Sequence, residues 1–491
     1  MLLTKLTDNN IKIYKTKAKD VNVSGVSSNS KKIKKGMIFA AVNGYKEKGI
    51  SYVEEVFSKG VTTILCEESD IVKIKKKAKN ILVSKDIRKA VGIIAKKFYP
   101  KQPKNIIAVT GTNGKTSIVD FLRKIWNKNN IKGGSLGTLG IQFENKTKRT
   151  DLTTLDPVSL HEELNSLKNN EIDFLAIEAS SHALAQYRLD EVDIKFAAFT
   201  NLSRDHLDFH KNMHKYFLTK TRLFEFVLNK KGTAIINIDN KYGKKLKNIC
   251  DQNNINNQTY GRNIFCDWRI LKVTKEKNVT EVTFQKNKKK YKFKCSLFAD
   301  FEIDNLLCAI LLANLNGLAI KSILNNIKII KPPQGRLNKV KVKIKNFSVF
   351  IDFAHTPEAL QNSLVALKNK CSEKGELFLL FGCGGERDKG KRKIMGKIAS
   401  KFADKVFVTD DNPRYECAKN IRSEITSDNK SFLNIAGRKK AIYKSISLMK
   451  EGDVLLIAGK GHEKFQEIKG RKIVFDDQKV AKEAILIRSK L

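Results

Sequence analysis

Gly111-Thr112-Asn113-Gly114-Lys115-Thr116 is the segment of this chain best suited to hold a polyphosphate. It follows an apolar run, Ile106 to Thr110, that reads as a buried strand. After it, Ile118, Phe121, Leu122, Ile125 and Trp126 recur at the spacing of one apolar helix face. A strand, a glycine-rich turn and a helix start together aim backbone N–H groups and the helix dipole at an anion. Glycine lets the backbone approach that anion closely. Lys115 can reach terminal phosphates, and the Thr116 hydroxyl can bind Mg²⁺. The strict pattern G-x-x-x-x-G-K-[ST] is not met, because Val109 sits where its first Gly belongs. A second strand-like run, Phe174 to Glu178, ends in a carboxylate. A carboxylate at a strand end facing a phosphate loop suits Mg²⁺, which prefers hard oxygen ligands.

The elements that must position these groups recur along the whole chain. Short β-branched or aromatic runs begin at Met37, Val61, Ile106, Phe174, Phe196, Thr233, Ser348, Glu376, Lys405 and Asp453, with longer helical patterns between them. That alternation predicts an α/β architecture with mainly parallel sheets. Open parallel sheets bind ligands beyond the carboxyl ends of their strands, and several of these runs end in polar clusters. At roughly 100–200 residues per domain, 491 residues suggest about three domains. Only seven prolines occur, so Tyr99-Pro100-Lys101-Gln102-Pro103 and Pro332-Pro333-Gln334-Gly335 are informative punctuation. The expected domains are 1–103, 104–333 and 334–491.

The formal net charge of +43 raises the question of nucleic acid, since basic surfaces attract polyphosphate. The lysines are spread along the chain and lack the interleaved aromatics of a nucleic-acid groove. They read as a compositional bias of a solvated surface that still steers anionic substrates inward, and no nucleic-acid partner is expected. The eight cysteines show neither metal-ligand nor catalytic spacing, as in a reduced, cytoplasmic protein. The N-terminus lacks the apolar core of a signal peptide. The longest apolar stretch, Leu306 to Ala313, is too short to span a bilayer, so no membrane association is expected.

Thr110-Gly111-Thr112-Asn113-Gly114-Lys115-Thr116 is the first of several motifs through which the chain resembles the Mur ligase family, over essentially its whole length. The resemblance implies a three-domain α/β fold with a central P-loop ATPase-like parallel sheet and a Rossmann-like C-terminal domain. It implies an ATP site comprising Gly111, Thr112, Asn113, Gly114, Lys115, Thr116 and Ser117. Ile177-Glu178-Ala179-Ser180-Ser181-His182 implies that Glu178 holds Mg²⁺ with Thr116, while Ser180, Gln186 and Arg188 contact a muramyl-peptide substrate. Thr200 to Asp208 implies a second metal ligand at His206. Tyr216 to Phe224 resembles the segment whose lysine is carbamylated, here Lys220, which would give an anionic oxygen ligand for a second Mg²⁺. Carbamylation needs a neutral amine, so the site must depress the lysine pKa. Lys115, Glu178, His206 and Lys220 are thus the implied catalytic set.

Thr153-Thr154 resembles the family's substrate-binding pair, with Leu155 where a small residue or Pro is usual. Asp300 to Asn305 resembles the adenine-side segment F-N-x-x-N, with Glu302 replacing the first Asn and Asn305 carried over. Asp352, in Asp352-Phe353-Ala354-His355-Thr356-Pro357, is the implied ribose partner, and Arg336 the implied phosphate contact after closure. In the first domain, Asn29-Ser30-Lys31 stands where the family has D-S-R, and Ser30 is the implied contact to the uridine nucleotide.

The most discriminating segment is Asp411-Asn412-Pro413-Arg414, accompanied by Gly384 to Asp388 and by Ala458 to Glu463. In the family, D-N-P-R marks enzymes that add meso-diaminopimelate, which is lysine with one more carboxylate. Arg forks bind carboxylates bidentately. Arg387 and Arg414 are therefore the expected clamp, with Asp411 and Asn412 beside them, Glu463 for the ammonium and the Gly459 backbone assisting. The resemblance implies ATP-dependent, ADP-forming ligation of meso-diaminopimelate to UDP-N-acetylmuramoyl-L-alanyl-D-glutamate, through an acyl phosphate, by a monomer. The rivals are the same fold with lysine or a folate as partner, and a basic nucleic-acid-binding NTPase.

Overall fold

All ten strand-like runs of the sequence form strands, and they sort into three separate sheets. The computed structural model describes residues 1–17, 21–44, 47–276, 279–342 and 346–489. The first sheet has five strands, from Lys12–Lys15 to Asn80–Val83, parallel except at the Lys12–Lys15 edge. Its helix Ile87–Phe98 packs on helix Pro157–Asn169 of the central segment.

The central sheet has eleven strands. Asn105–Thr110 lies in its interior, flanked by parallel strands and buried on both faces, as expected of a continuous apolar run in a parallel sheet. Later strands add first to one side of it (Gly133–Gly137 and Phe174–Glu178), then to the other (Ile194–Phe199, Leu228–Asn237 and Asn257–Gly261). The winding direction thus reverses at the strand that carries the phosphate loop, which is where open α/β sheets form their ligand crevice. Antiparallel hairpins extend both edges, an addition to the mainly parallel sheet expected from the runs. Helix Lys115–Lys128 covers one face, with Ile118, Phe121, Leu122, Ile125 and Trp126 all at most 1% exposed.

Gly133–Gly137 was invisible as a strand because it is three-fifths glycine. The packing explains the composition: a Cβ on Gly133 would run into the Trp126 ring, and one on Gly137 into the Glu178 carboxylate.

The third sheet orders Ser348–Ile351, Val454–Ile457, Leu377–Phe381 and Lys405–Val408 as neighbours, all parallel, with apolar layers on both faces. Among the described residues, no helix is long and apolar enough to cross a membrane.

Candidate active site

The carboxyl ends of the central and third sheets face one another across a cleft of about 610 Å³. Gly111 and Gly114 have φ of 146° and 91°, and side chains on them would collide with Thr200 Oγ1 and the Asn305 amide. The Thr112 and Asn113 N–H groups donate to Asn201 at 3.0 and 2.9 Å, and the Thr200 hydroxyl donates to the Asn113 carbonyl at 2.6 Å. The phosphate loop is thereby held in shape by the adjacent strand end. Lys115 curls over it, donating to the carbonyls of Gly111 and Thr112, both at 2.8 Å. Burial pulls its ammonium below the usual lysine range, against the opposing pull of Glu178.

Glu178 is 1% exposed. It accepts from the hydroxyls of Thr116 and Thr138, both at 3.1 Å, and from the Thr138 N–H at 2.8 Å. Thr153 lies 3.3 Å from Thr138, and the Thr154 hydroxyl donates to the Glu178 carbonyl at 2.6 Å. The Ser180 N–H donates to Thr154 at 3.1 Å, and Arg188 joins Gln186 to the Thr154 carbonyl. Five of the expected muramyl-peptide contacts therefore form one web beside Glu178. Thr153 and Ser180 line the cleft, while Thr154, Gln186 and Arg188 back them; Ser30, in the first sheet's segment, does not line it.

Thr116 Oγ1 and Glu178 Oε2, 3.1 Å apart, are a hard oxygen pair suited to Mg²⁺. Among the described residues no group of three or more His, Cys, Asp or Glu could hold a metal. Phosphate oxygens and water would have to complete the shell. Arg336 reaches across from the third segment, donating to Thr116 Oγ1 at 2.8 Å, with its guanidinium 4.6 Å from the Phe353 ring. His206 has φ 53° and turns its Nε2 to Asp205, at 3.3 Å. Burial pushes it down to about 3, so it is a neutral imidazole. Lys220 is 1% exposed and donates to the Gly111 carbonyl at 2.9 Å. Burial, helped by the charge of Lys115, pulls it well below the usual lysine range.

Asn305, on helix Asp300–Leu315, sets its amide against Gly114. Asp352 lines the cleft but already accepts from Ser363 Oγ at 2.6 Å and from the N–H groups of Phe353 and Leu337 at 2.7 and 3.3 Å. An ionised carboxylate has about four lone-pair sites, so one remains for a further donor in the cleft. Ser117 also lines the cleft.

At the other end, the expected clamp divides. Arg387 is exposed on the cleft wall and, among the described residues, makes no hydrogen bond or ion pair. Arg414, at φ 52°, has its Nε 3.0 Å from Glu467 and donates from Nη1 to the Gly385 carbonyl at 2.8 Å. Asn412 Nδ2 donates to Glu463 Oε2 at 2.9 Å, and buried Lys460 bridges both, at 3.0 Å to Asn412 and 2.8 Å to Glu463. Lys460, quoted in the sequence without a role, thus links Asn412 and Glu463, and an amide has two N–H donors and a carboxylate two oxygens, so neither side chain is exhausted by this pairing. Gly459, at φ 108°, leaves room for the Asp411 carboxylate.

Sequence reasoning gave no role to Asp205 or Lys391, although Asp205 stood inside a quoted motif. Asp205 is 5% exposed and sits among His206, His355 and Lys391. Burial would push its carboxyl up, but those three cationic or donor neighbours outweigh it and hold it well below the usual range. His210 is buried and bonded to Ser181 Oγ at 2.9 Å, and His214 is exposed.

A phosphate loop, a strand-end carboxylate and arginines from a second sheet suit a polyphosphate held beside a second anionic ligand. Family domains match all three segments: "Mur ligase family, catalytic domain" at residues 22–99, "Mur ligase middle domain" at 109–313 and "Mur ligase, glutamate ligase domain" at 335–461. The chain belongs to the Mur ligase family. It is 37% identical to a UDP-N-acetylmuramoyl-L-alanyl-D-glutamate–2,6-diaminopimelate ligase of Rickettsia conorii, covering 95% of this chain and 96% of that one. It is 35% identical to one of the same name from Mesorhizobium japonicum, covering 96% and 97%. A solved structure of that name superposes with TM-score 0.66 at 30% identity, covering 95% of each chain. A MurF ligase from Thermotoga maritima in complex with ADP shares the fold, with TM-score 0.63 at 18% identity, covering 96% of this chain and 98% of that one.

Proposed function

We propose that this chain joins meso-diaminopimelate to the γ-carboxylate of D-glutamate in UDP-N-acetylmuramoyl-L-alanyl-D-glutamate, forming ADP and phosphate, in peptidoglycan precursor synthesis. The observation that carries this reading is that Lys115, Glu178, Arg387 and Arg414 line one cleft. The names of the similar enzymes support it.

The reaction sets a carboxylate against a triphosphate, anion against anion, and an acyl phosphate forms. Lys115, Arg336 and the loop N–H groups neutralise the charge that develops, which is catalysis by positioning and electrostatics. Bound Mg²⁺, held by Thr116 and Glu178 with His206 nearby, supplies further positive charge. Lys220 has the suppressed basicity that carbamylation requires, and its carbamate would add an anionic oxygen for a second Mg²⁺. Asn305 and Asp352 take adenine and ribose, with Ser30 on the uridine nucleotide. Thr153, Thr154, Ser180, Gln186 and Arg188 hold the muramyl dipeptide. At the amino-acid end, Arg387 presents a free fork to the distal carboxylate of diaminopimelate. Arg414 narrows the site beside it, and Asp411, Gly459 and Glu463 receive the ammonium. The amine then attacks the acyl carbon and phosphate leaves. Residues 1–103 take the UDP-sugar, 104–333 ATP and 334–491 the amino acid, in a cytoplasmic monomer.

Incubating pure protein with ATP, Mg²⁺ and the dipeptide nucleotide, and offering amino acids singly, tests this. Tripeptide and ADP should form with meso-diaminopimelate. Equal turnover with lysine, or ADP formation that needs a folate instead, would sink the assignment.

A further inference from the structure

Arg204 and Asp205 follow the central strand Ile194–Phe199, and both meet the third segment. Arg204 Nε and Nη2 donate to the two oxygens of Asp388, each at 2.9 Å. Asp388 is 5% exposed at its side chain and also accepts from the Gly390 N–H at 3.0 Å. A Cβ on Gly390 would collide with Arg204 Nη2, so the glycine leaves space for the fork. Asp205 has Lys391 Nζ at 3.6 Å and His355 Nε2 at 3.5 Å. Two adjacent charges of opposite sign thus face two charges of the complementary order. A shifted docking would set like against like, so the pair fixes register as well as contact. The bidentate fork adds geometric specificity that a single contact lacks.

These four residues sit beside the two ends of the chemistry. Asp388 follows Arg387, the open fork of the amino-acid end, and Asp205 precedes His206. We propose that Arg204 and Asp388, supported by Asp205 and Lys391, are positioning residues that set Arg387 for the amino-acid substrate. Docking of the third segment is thereby tied to binding of the attacking amine. This rests on the ligase reading above.

When the fork is lost, Arg387 is no longer held and the amine binds poorly, leaving the acyl phosphate open to water. Water then attacks the acyl carbon, phosphate leaves with the bonding pair, and the glutamate carboxylate is regenerated. The net reaction is ATP plus water giving ADP plus phosphate, with no peptide formed. Keeping such intermediates from water is what closure of an active site accomplishes.

The test measures phosphate released per tripeptide formed, and KM for meso-diaminopimelate and for ATP, in the full chain. Arg204→Gln and Asp388→Asn should each raise the amino-acid KM about tenfold, the scale of one charged hydrogen-bond pair. Each should raise the phosphate-to-peptide ratio several-fold with KM for ATP within about twofold of wild type. The double variant should be no worse than the worse single, because both remove one interaction. Arg204→Lys, which keeps the charge without the fork, should show a smaller defect. Unchanged ratio and KM in either single, multiplying effects in the double, or an equal loss of ATP binding would overturn the proposal. A wild-type protein that makes no tripeptide would instead sink the ligase reading.

Discussion

Lys115 and Arg414 stand at opposite ends of one cleft, and both are already hydrogen-bonded, but to different kinds of partner. Lys115 rests on two backbone carbonyls of its own loop, and the loop is tied by Thr200 and Asn201 to the next strand end. Arg414 is held by Glu467 and Gly385, while Asn412, Lys460 and Glu463 bind one another across two loops. The phosphate end is shaped by backbone within one sheet. The amino-acid end is shaped by charged side chains that hold one another, with Arg387 left open. Backbone donors suit a ligand common to a whole family. A side-chain network suits the part that must discriminate, because a site built around polar groups rejects an analogue that leaves them unpaired.

The network's foundation gives the largest expected effect. Arg438 and Asp477 form a fully buried pair, at 2.7 Å and 0% exposure on both sides. Arg438 also donates to the Ala458 carbonyl at 2.9 Å, beneath the loop that carries Gly459 to Glu463. Arg438→Met, which strands the buried carboxylate, should lower unfolding free energy by about 3–5 kcal/mol in denaturant titration. An unchanged midpoint would show that the amino-acid end does not depend on its buried charges. At the phosphate end, Lys115→Ala should lower kcat by at least about 10²-fold, the order found for one transition-state charge contact. Near-normal steady-state phosphate release would remove Lys115 from the reaction.

The two arginines can be ranked against each other. Arg387→Ala should erode the preference for meso-diaminopimelate over lysine by about tenfold, one charge-assisted contact. Arg414→Ala should erode it less, because Glu467 already shares its fork. A competition assay in which Arg387→Ala keeps full selectivity would reverse that ranking.

The smallest effect concerns Glu302, in helix Asp300–Leu315. Burial raises its carboxyl to about 7, against the lowering pull of the Ala299 and Phe298 N–H groups. The folded state therefore holds a proton that the unfolded chain releases near 4.5. This stabilisation is complete below 4.5 and is lost as pH rises through 7. Glu302→Gln should flatten the fall in stability between pH 5 and 8 by on the order of 1 kcal/mol. Parallel curves for variant and wild type would rule out that buried proton. Asp304, also raised to about 7 by burial, leaves part of the slope in the variant.

Much of this could be read without coordinates. Strand runs, the apolar face after Lys115 and the phosphate loop are local patterns, and hydrophobic periodicity and glycine punctuation are set by near neighbours in the chain. What neighbours in sequence do not encode stayed hidden. The Gly133–Gly137 strand is made of glycine because Trp126 and Glu178 occupy the space beside it. The Arg204–Asp388 fork joins residues 184 positions apart. From the chain alone, Lys460 was one lysine among many and Glu467 one surface glutamate. Amino-acid order determined which chemical groups exist and which strand ends carry them. Only the apposition of two sheets decided which charges neutralise one another and which, like Arg387, remain open, because electrostatic pairing depends on distance through space and on burial, neither of which a linear order contains.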